Sequence, residues 1–395
     1  MPPSMRVLVI GPDHDRGSIP PYLDVLADGL RERGATVERL SAGGLPLDRD
    51  GERRRFWPVE RIMAAAEALV AGIDPDAYDL LSLHYGNLEV EQLVPVCWGN
   101  RQGPAMVAHV HFVDWTLFST HVPDPALYAA VNAGVHHLDG LVFFGDYARR
   151  ALAARNGLGR TPSLVSFFPT TIPAGEEVPD ANVIRPPLRD LARREGDSRP
   201  VATVYGFANP WKDPSDLLAA FELMRAPLRF LLAGHGWDRP ERAGVDLGPA
   251  LHPQVLRAGP VELTVLADYI DPSERLALVQ ASDLAVFPYR RHESFQGSGA
   301  ITDYLANGVP VVATDVANMT ELIGDAGVVV PPGDPAALAA ALDQVAGDGA
   351  TRAALALAAR RRAPRFSAAR HLDDCFGFYT ALTTARGVAT TPPRE

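Results

Sequence analysis

Apolar and polar positions along the chain alternate as two successive runs of short buried strands and helices. The first run opens on Arg6-Val-Leu-Val-Ile10, an apolar stretch of strand length. A turn-rich loop from Gly11 to Ser18 follows, and apolar residues then recur at Tyr22, Leu23, Leu26 and Leu30, the spacing of one helix face, closed by Gly34. Thr36 to Leu40 is the next strand. Strand, loop, helix, strand predicts a parallel, doubly wound sheet, since parallel neighbours need a crossover element between them. Further strands are predicted at Leu80–His84, Met106–His111, Gly140–Phe144 and Ser163–Phe168.

From Gly175 to about Pro200 the composition changes; Pro179, Pro186, Pro187 and a run of charges predict a linker. The alternation then restarts with a strand at Val201–Tyr205, a helix from Asp213 to Met224 and strands at Leu228–Ala233, Leu284–Phe287, Val309–Ala313 and Val328–Val330. The expected division is an N-terminal domain over 1–180, a linker over 181–200, a C-terminal domain over 201–365, a closing helix over 366–386 and a disordered tail over 387–395. No sequence repeat relates the halves. Doubly wound sheets bind ligands beyond the carboxyl ends of their strands, and two facing domains place them in the crevice between.

Composition narrows the class. The 395 residues, 47% hydrophobic and 22% charged, suit two or three globular domains at ~100–200 residues each and exclude a disordered chain. Cys97 and Cys375 are too few for a disulfide scaffold or a thiolate zinc cluster and point to a reducing compartment. No leader-like segment and no apolar run near ~18 residues is present, so a cytoplasmic location is expected. The net charge of −11 argues against broad nucleic-acid binding, which needs a basic face. Of the 37 cationic side chains one is a lysine, Lys212; the arginine- and alanine-rich remainder points to a GC-rich genome such as an actinobacterium's. Where arginine serves as the general cation, a lone lysine stands out.

The candidate chemistry falls mostly on strand-end loops. Gly297-Ser298-Gly299 joins a strand to a helix, and small residues there let helix N–H groups approach an anion; alone, it reads equally as a flexible turn. Tyr205-Gly206-Phe207-Ala208-Asn209-Pro210-Trp211-Lys212 occupies the same kind of junction. His109 and His111 are alternate strand residues and share a face. Without a third ligand in view no metal site is expected there; the bland alternative is a hydrogen-bonded core histidine. Gly17 and Ser18 follow the first strand, and Asp146 and Arg149 begin a helix. Arg53-Arg-Arg-Phe-Trp57 reads as a solvated loop or lid rather than a membrane contact.

Residues 289–315, with their strand, Gly-Ser-Gly turn, acid-bearing helix and Gly308-Val-Pro-Val-Val-Ala-Thr-Asp315, resemble the retaining GT-B glycosyltransferases of the family 4 group. The likeness extends to Leu232-Ala-Gly-His-Gly236, Glu321-Leu-Ile and Asp334-Pro-Ala-Ala-Leu, and more loosely to the N-terminal half. It implies an α/β GT-B fold: two Rossmann-like doubly wound domains facing across a cleft, with a C-terminal helix crossing back to the N-terminal domain. Residue by residue, it implies that Lys212 holds the donor diphosphate, with Gly206 and Asn209 in the same loop. Phe207 stands where the family has an arginine, for which Arg290 or Arg291 is expected to compensate. Of the family's acid pair, Asp303 would meet the nucleotide ribose; the first acid, which would meet the donor sugar, falls on Glu293 if the loop is two residues longer than the family's and on Phe295 if it is not, and Glu293 is the expected one. His111 would lie near the sugar, Gly17, Ser18, Gly297, Ser298 and Gly299 near the phosphates, and Asp146 and Arg149 along the cleft.

The implied activity is retaining, metal-independent transfer from a nucleoside-diphospho-sugar, a donor substrate rather than a cofactor, to an acceptor hydroxyl. The acceptor would be a natural-product sugar, an aminocyclitol or an envelope glycan. A sugar-nucleotide epimerase and a non-catalytic sugar-nucleotide-binding paralogue are the alternatives.

Overall fold

The structure, a computed structural model, describes residues 4–13, 19–41, 59–85, 90–112, 125–156, 160–172, 175–177, 184–191, 196–212, 214–234, 254–292 and 295–390. The chain divides into two units. One comprises 1–167, 293–296 and 368–395; the other comprises 168–292 and 297–367.

The first unit holds a 6-stranded, wholly parallel sheet in the order β2-β1-β3-β4-β5-β6. Its strands are β1 (Arg6–Ile10), β2 (Thr36–Leu40), β3 (Leu80–Tyr85), β4 (Ala105–Val110), β5 (Gly140–Phe143) and β6 (Ser163–Val165). The helices α1 (Ile19–Glu32), α2 (Val59–Ala71), α3 (Val94–Trp98), α4 (Pro125–Gly134) and α5 (Asp146–Asn156) alternate with them. Every residue of β4 and β5 is buried, as expected where helices cover both faces of a parallel sheet. The predicted apolar stripe of α1, Tyr22, Leu23, Leu26 and Leu30, is its buried face. The C-terminal helix (Ala368–Thr390) packs in this unit and runs beyond the end expected at 386. Glycines seat it: a Cβ on Gly29 of α1 would lie 2.2 Å from Leu372, and one on Gly140 2.7 Å from Leu382.

The second unit is a 7-stranded sheet in the order β13-β12-β11-β7-β8-β10-β9. Its strands are β7 (Val201–Tyr205), β8 (Leu228–Ala233), β9 (Gln254–Ala258), β10 (Val261–Leu266), β11 (Leu284–Phe287), β12 (Val311–Thr314) and β13 (Gly327–Val330). Its helices are α6 (Pro186–Leu191), α7 (Ser215–Leu223), α8 (Pro272–Gln280), α9 (Gly299–Ala306), α10 (Met319–Ile323), α11 (Pro335–Gly347) and α12 (Gly349–Arg362). All pairings are parallel except β9–β10, an edge hairpin turned at Gly259 with φ 53°. Its β9 arm escaped the periodicity because it is an edge strand with Val255 and Leu256 exposed, whereas β10 is an interior, buried strand.

Two boundaries differ from the sequence reading. The change of unit falls at 167/168, so residues 168–177 belong to the second unit rather than the first. The expected linker carries α6, and Arg185 before it anchors the segment by bonding Asp268 at 2.8 Å, the Tyr269 carbonyl at 2.7 Å and the buried Glu274. A proline- and charge-rich composition signalled a loop where an ion-pair cluster holds a helix.

Two glycines should behave oppositely. A Cβ on Gly327 would lie 1.9 Å from the Val311 carbonyl oxygen, so Gly327→Ala must push β12 and β13 apart. Overpacking of this kind costs about 1–3 kcal/mol. Gly377, mid-helix, has nothing within 4 Å of its missing Cβ, and Gly377→Ala should stabilise by up to about 1 kcal/mol. Denaturant midpoints of the two variants should move in opposite directions; movement in the same direction would contradict this packing.

Candidate active site

In the second unit the loops after β7, β8 and β11 converge on Lys212. Gly206, at φ 134°, donates its N–H to the Ala233 carbonyl at 2.9 Å, and a Cβ on Gly206 would sit 2.6 Å from the Lys212 Nζ. Gly234, at φ 143°, comes so close that its Cβ would overlap the Gly206 carbonyl oxygen at 1.9 Å. Two glycines are thus required for these strand ends to approach and leave room for the ammonium. A short helical turn, Pro210–Lys212, is closed by the Lys212 N–H on the Asn209 carbonyl at 2.8 Å. The Asn209 side chain donates to the Phe207 carbonyl at 3.4 Å.

The Lys212 Nζ lies 5.4 Å from the centroid of the buried Tyr289 ring. Burial pulls its pKa down to about 8. Among the described residues no carboxylate lies within ion-pair distance of it. A desolvated ammonium held this way is cheaper to keep charged when an anion arrives beside it. Arg290, one candidate to replace the arginine that Phe207 displaces, is paired with Asp216 at 3.1 Å, and its N–H bonds the Trp211 carbonyl at 2.8 Å. Arg291 is exposed. Phe207 packs towards Tyr269, their ring centroids 6.2 Å apart.

Gly297, Ser298 and Gly299 lead into α9, with Ser298 as an extended N-cap that makes no side-chain cap bond. The turn is tight: a Cβ on Gly297 would meet Asn318 at 2.2 Å. The first N–H groups of α9 are therefore not taken by the cap side chain.

Asp303 is placed differently from the ribose contact expected of it. It is 3% exposed, and its carboxylate accepts from the Thr170 hydroxyl at 2.6 Å, the Thr171 N–H at 2.9 Å and the Tyr205 hydroxyl. Burial pushes its pKa up, against these hydrogen bonds. This side chain ties the 170–172 strap to β7 and α9.

In the first unit His109 and His111 do not act as a pair. His109, buried in β4, bonds the Tyr22 hydroxyl through Nδ1 at 2.8 Å and the Tyr379 hydroxyl through Nε2 at 2.6 Å. His111, one residue past the strand, meets the Nδ1 of His84 at 3.4 Å. The cluster continues through Ser82, which bonds His84 at 2.8 Å and Tyr379 at 2.6 Å, and through His371, 2.8 Å from Tyr22. His109, His371 and Cys375 bring potential metal-ligand atoms within 4.8 Å of one another, but each imidazole nitrogen of this trio already has a protein partner. Burial lowers the pKa of all four histidines, helped by neighbouring imidazoles at His84, His109 and His111, and reaches about 3 for His111 and His371. The sequence did carry a signal for the missed members: His371, Cys375 and Tyr379 recur every fourth residue, one face of a helix.

Of the other expected residues, Asp146 is ion-paired with Arg149 and Arg150 at the start of α5. Glu293, Gly17 and Ser18 lie outside the described residues, as does the 53–57 patch.

Residues 199–348 match the family described as glycosyl transferases group 1. This segment is similar to the group 1 glycosyl transferases. It contains Gly206, Asn209, Lys212, Arg291, Gly297, Ser298, Gly299 and Asp303, whereas the histidine cluster lies outside it. D-inositol 3-phosphate glycosyltransferase of Jonesia denitrificans is 30% identical over 232 residues, covering 53% of this chain and 51% of that protein. The Geodermatophilus obscurus protein of the same name is 32% identical over 222 residues, covering 53% and 47%. The chain thus spans about half the length of the curated relatives it matches. Among solved structures, sucrose-phosphate synthase from Thermosynechococcus elongatus superposes with a TM-score of 0.69 at 17% identity, covering 96% of this chain and 100% of that one. Anabaena HepE in complex with UDP-glucose gives 0.64 at 17%, covering 96% and 100%. The segment that matches the group 1 glycosyl transferase family therefore sits in a chain of GT-B fold.

Asp303→Ala should strand the Tyr205 hydroxyl and the Thr171 N–H. At about 1–3 kcal/mol per stranded buried group, a loss of at least about 2 kcal/mol is expected in denaturant unfolding. A loss below about 0.5 kcal/mol would mean that the carboxylate is not the anchor described.

The histidine cluster sets an acid limit. The folded pKa values lie below the ordinary 6.5, so the unfolded chain takes up protons first as pH falls. Stability contributed by these groups is whole above pH 6.5 and is lost progressively towards pH 3. Each proton contributes a slope of up to about 1.4 kcal/mol per pH unit. His371→Gln should make unfolding free energy fall less steeply between pH 7 and pH 5 than in wild type; an unchanged slope would refute the linkage.

Proposed function

We propose that this chain is a retaining glycosyltransferase that moves a sugar from a nucleoside-diphospho-sugar to a hydroxyl of a ring polyol, without a metal ion, in the cytoplasm of a bacterium. The observation that supports this most is Lys212, a desolvated ammonium with no carboxylate partner among the described residues, held by two glycines at the carboxyl ends of β7 and β8. Breaking the sugar–phosphate bond leaves a nucleoside diphosphate, whose terminal oxygens gain charge as the bond lengthens. The Lys212 ammonium and the N–H groups at the start of α9 would stabilise that charge more in the transition state than in the bound donor. In this reading the acceptor O–H gives its proton to the departing phosphate oxygen while its oxygen forms the new bond on the same face of the sugar.

The names of the curated relatives favour a cyclitol or its phosphate as acceptor. A natural-product sugar, an aminocyclitol and an envelope glycan share that chemistry. A second reading, binding of the sugar-nucleotide without transfer, is favoured by Phe207 at an arginine position and by the engagement of Arg290 with Asp216.

A thermal-shift screen of UDP-, GDP- and dTDP-sugars identifies the donor; a ligand at ~100 times its Kd adds ~2.7 kcal/mol. With donor and acceptor in hand, Lys212→Ala should lower kcat at least ~100-fold, and near-normal kcat at saturating donor would sink the assignment. Affinity for the free nucleoside diphosphate should weaken as pH rises through about 8, where the ammonium loses its proton, and Lys212→Ala should remove that dependence. Turnover should survive chelator; loss in EDTA restored by Mn²⁺ would overturn metal independence. Donor binding without product from any acceptor would select the second reading.

A further inference from the structure

All but one of the 37 cationic side chains are guanidinium groups, which keep their proton near neutral pH and offer no free lone pair. Lys212 is the one side-chain amine in the sequence. Its surroundings leave that amine open to a reagent. Among the described residues no ion pair and no hydrogen bond holds the Nζ. What faces it is the Tyr289 ring, its centroid 5.4 Å away, and the bare side of Gly206, where a Cβ would lie 2.6 Å from the nitrogen. Arg290, after β11, is taken by Asp216 at 3.1 Å. Lys212 is half-buried: its neighbours strip water from the ammonium, yet the residue keeps exposed surface. The Tyr289 hydroxyl is hydrogen-bonded to Ser298, so the ring beside Lys212 also reaches the start of α9.

Burial lowers the lysine's pKa to about 8. About a tenth of the molecules therefore carry a neutral nitrogen at pH 7, against about 0.03% for an amine at the ordinary 10.5. A less basic amine attacks more slowly per neutral molecule, but the gain in neutral fraction is the larger effect. The ammonium form draws an anion to this place, and the neutral form can attack what the anion brings.

We infer that Lys212 is an acylation site for acyl phosphates. The neutral Nζ attacks the carbonyl carbon and a C–N bond forms. The bond from that carbon to the bridging oxygen breaks, and its electron pair leaves on the phosphate, which takes the proton released by the nitrogen. The products are Nε-acyl-lysine and inorganic phosphate, with nothing oxidised or reduced. An acyl phosphate suits the site because its carbonyl carbon is bonded to an oxygen of the phosphate itself. A phosphate drawn to the nitrogen brings the carbon with it. In an acyl thioester of a nucleotide-bearing carrier the phosphates lie many bonds from the carbonyl. Acylation turns the ammonium into a neutral amide and so silences its contact with an anion. That consequence rests on the anion-facing role given to Lys212 above; the acyl transfer itself does not.

Acetyl phosphate is the probe, with the whole chain and no sugar-nucleotide present. Peptide mass spectrometry follows acetylation of Lys212 and, in the same solution, of the α-amino group of an added short peptide, whose pKa of ~7.7–8.0 is similar. The rate at Lys212 should saturate with acetyl phosphate, exceed that of the peptide at least ~10-fold and fall when inorganic pyrophosphate is added. Acetyl-CoA should acetylate Lys212 no faster than it acetylates the peptide. A linear rate indifferent to pyrophosphate, a rate no greater than the peptide's, or faster labelling by acetyl-CoA than by acetyl phosphate overturns the inference. In calorimetric titration, pyrophosphate should bind the acetylated protein at least ~10-fold more weakly than the unmodified one, and Lys212→Gln should match the acetylated form. Unchanged affinity after acetylation would overturn the silencing. Labelling needs neither donor nor acceptor, so its failure leaves the transfer reading standing, and a failure of glycosyl transfer leaves the acylation standing.

Discussion

The carboxyl ends of β3 and β4 present Ser82, His84 and His109 to the interior, and these polar groups are satisfied largely from a helix more than two hundred residues later. Tyr379 bonds both Ser82 and His109, while His371 shares Tyr22 with His109. A buried polar group left unmatched costs about 1–3 kcal/mol, so the first unit is complete only when residues 368–390 have docked. The small residues on either side, Gly29 and Gly140, are what bring that helix within hydrogen-bonding reach. The chain's passage through the second unit and back is thus enforced by hydrogen-bond accounting as much as by apolar burial.

The second unit manages buried charge in two contrasting ways. Asp303 is surrounded by donors from Thr170, Thr171 and Tyr205 and is spent on structure. Lys212 is desolvated against Tyr289 without a carboxylate counterpart among the described residues. A charge fully matched by the protein does little for a ligand. A charge left short of a counterion makes the binding of an anion stabilising, and the convergence of three strand-end loops on Lys212 is the geometry in which a doubly wound sheet receives phosphate. Glycines at 206 and 234 set that convergence, through backbone angles and an approach no side chain would allow.

Much of this was legible in the residues themselves. Strand and helix positions followed the period of apolar residues, because local periodicity reports which face of an element is buried. The strand-end loops of the second unit were found from Gly206, Lys212 and the Gly297–Gly299 turn, because glycine and an isolated lysine have few other reasons to stand there. The edge strand β9 was not legible, since an edge strand loses the continuous apolar signature of a buried one. Neither was α6, whose proline- and charge-rich sequence hides an anchoring cluster around Arg185.

Alone, the sequence determined the two α/β units and singled out the strand-end glycine turns and the one lysine, all properties of neighbours along the chain. The tertiary structure decided what each polar side chain faces. Asp303 and Glu274 are both acids on helices, yet one meets hydroxyls and the other a guanidinium. His109 and His111 share a strand face in sequence and end in different bonds, one with Tyr22 and Tyr379, the other with His84. Such partners come from elements brought together by topology, and hydrogen bonds act over about 3 Å, a distance on which sequence separation carries no information.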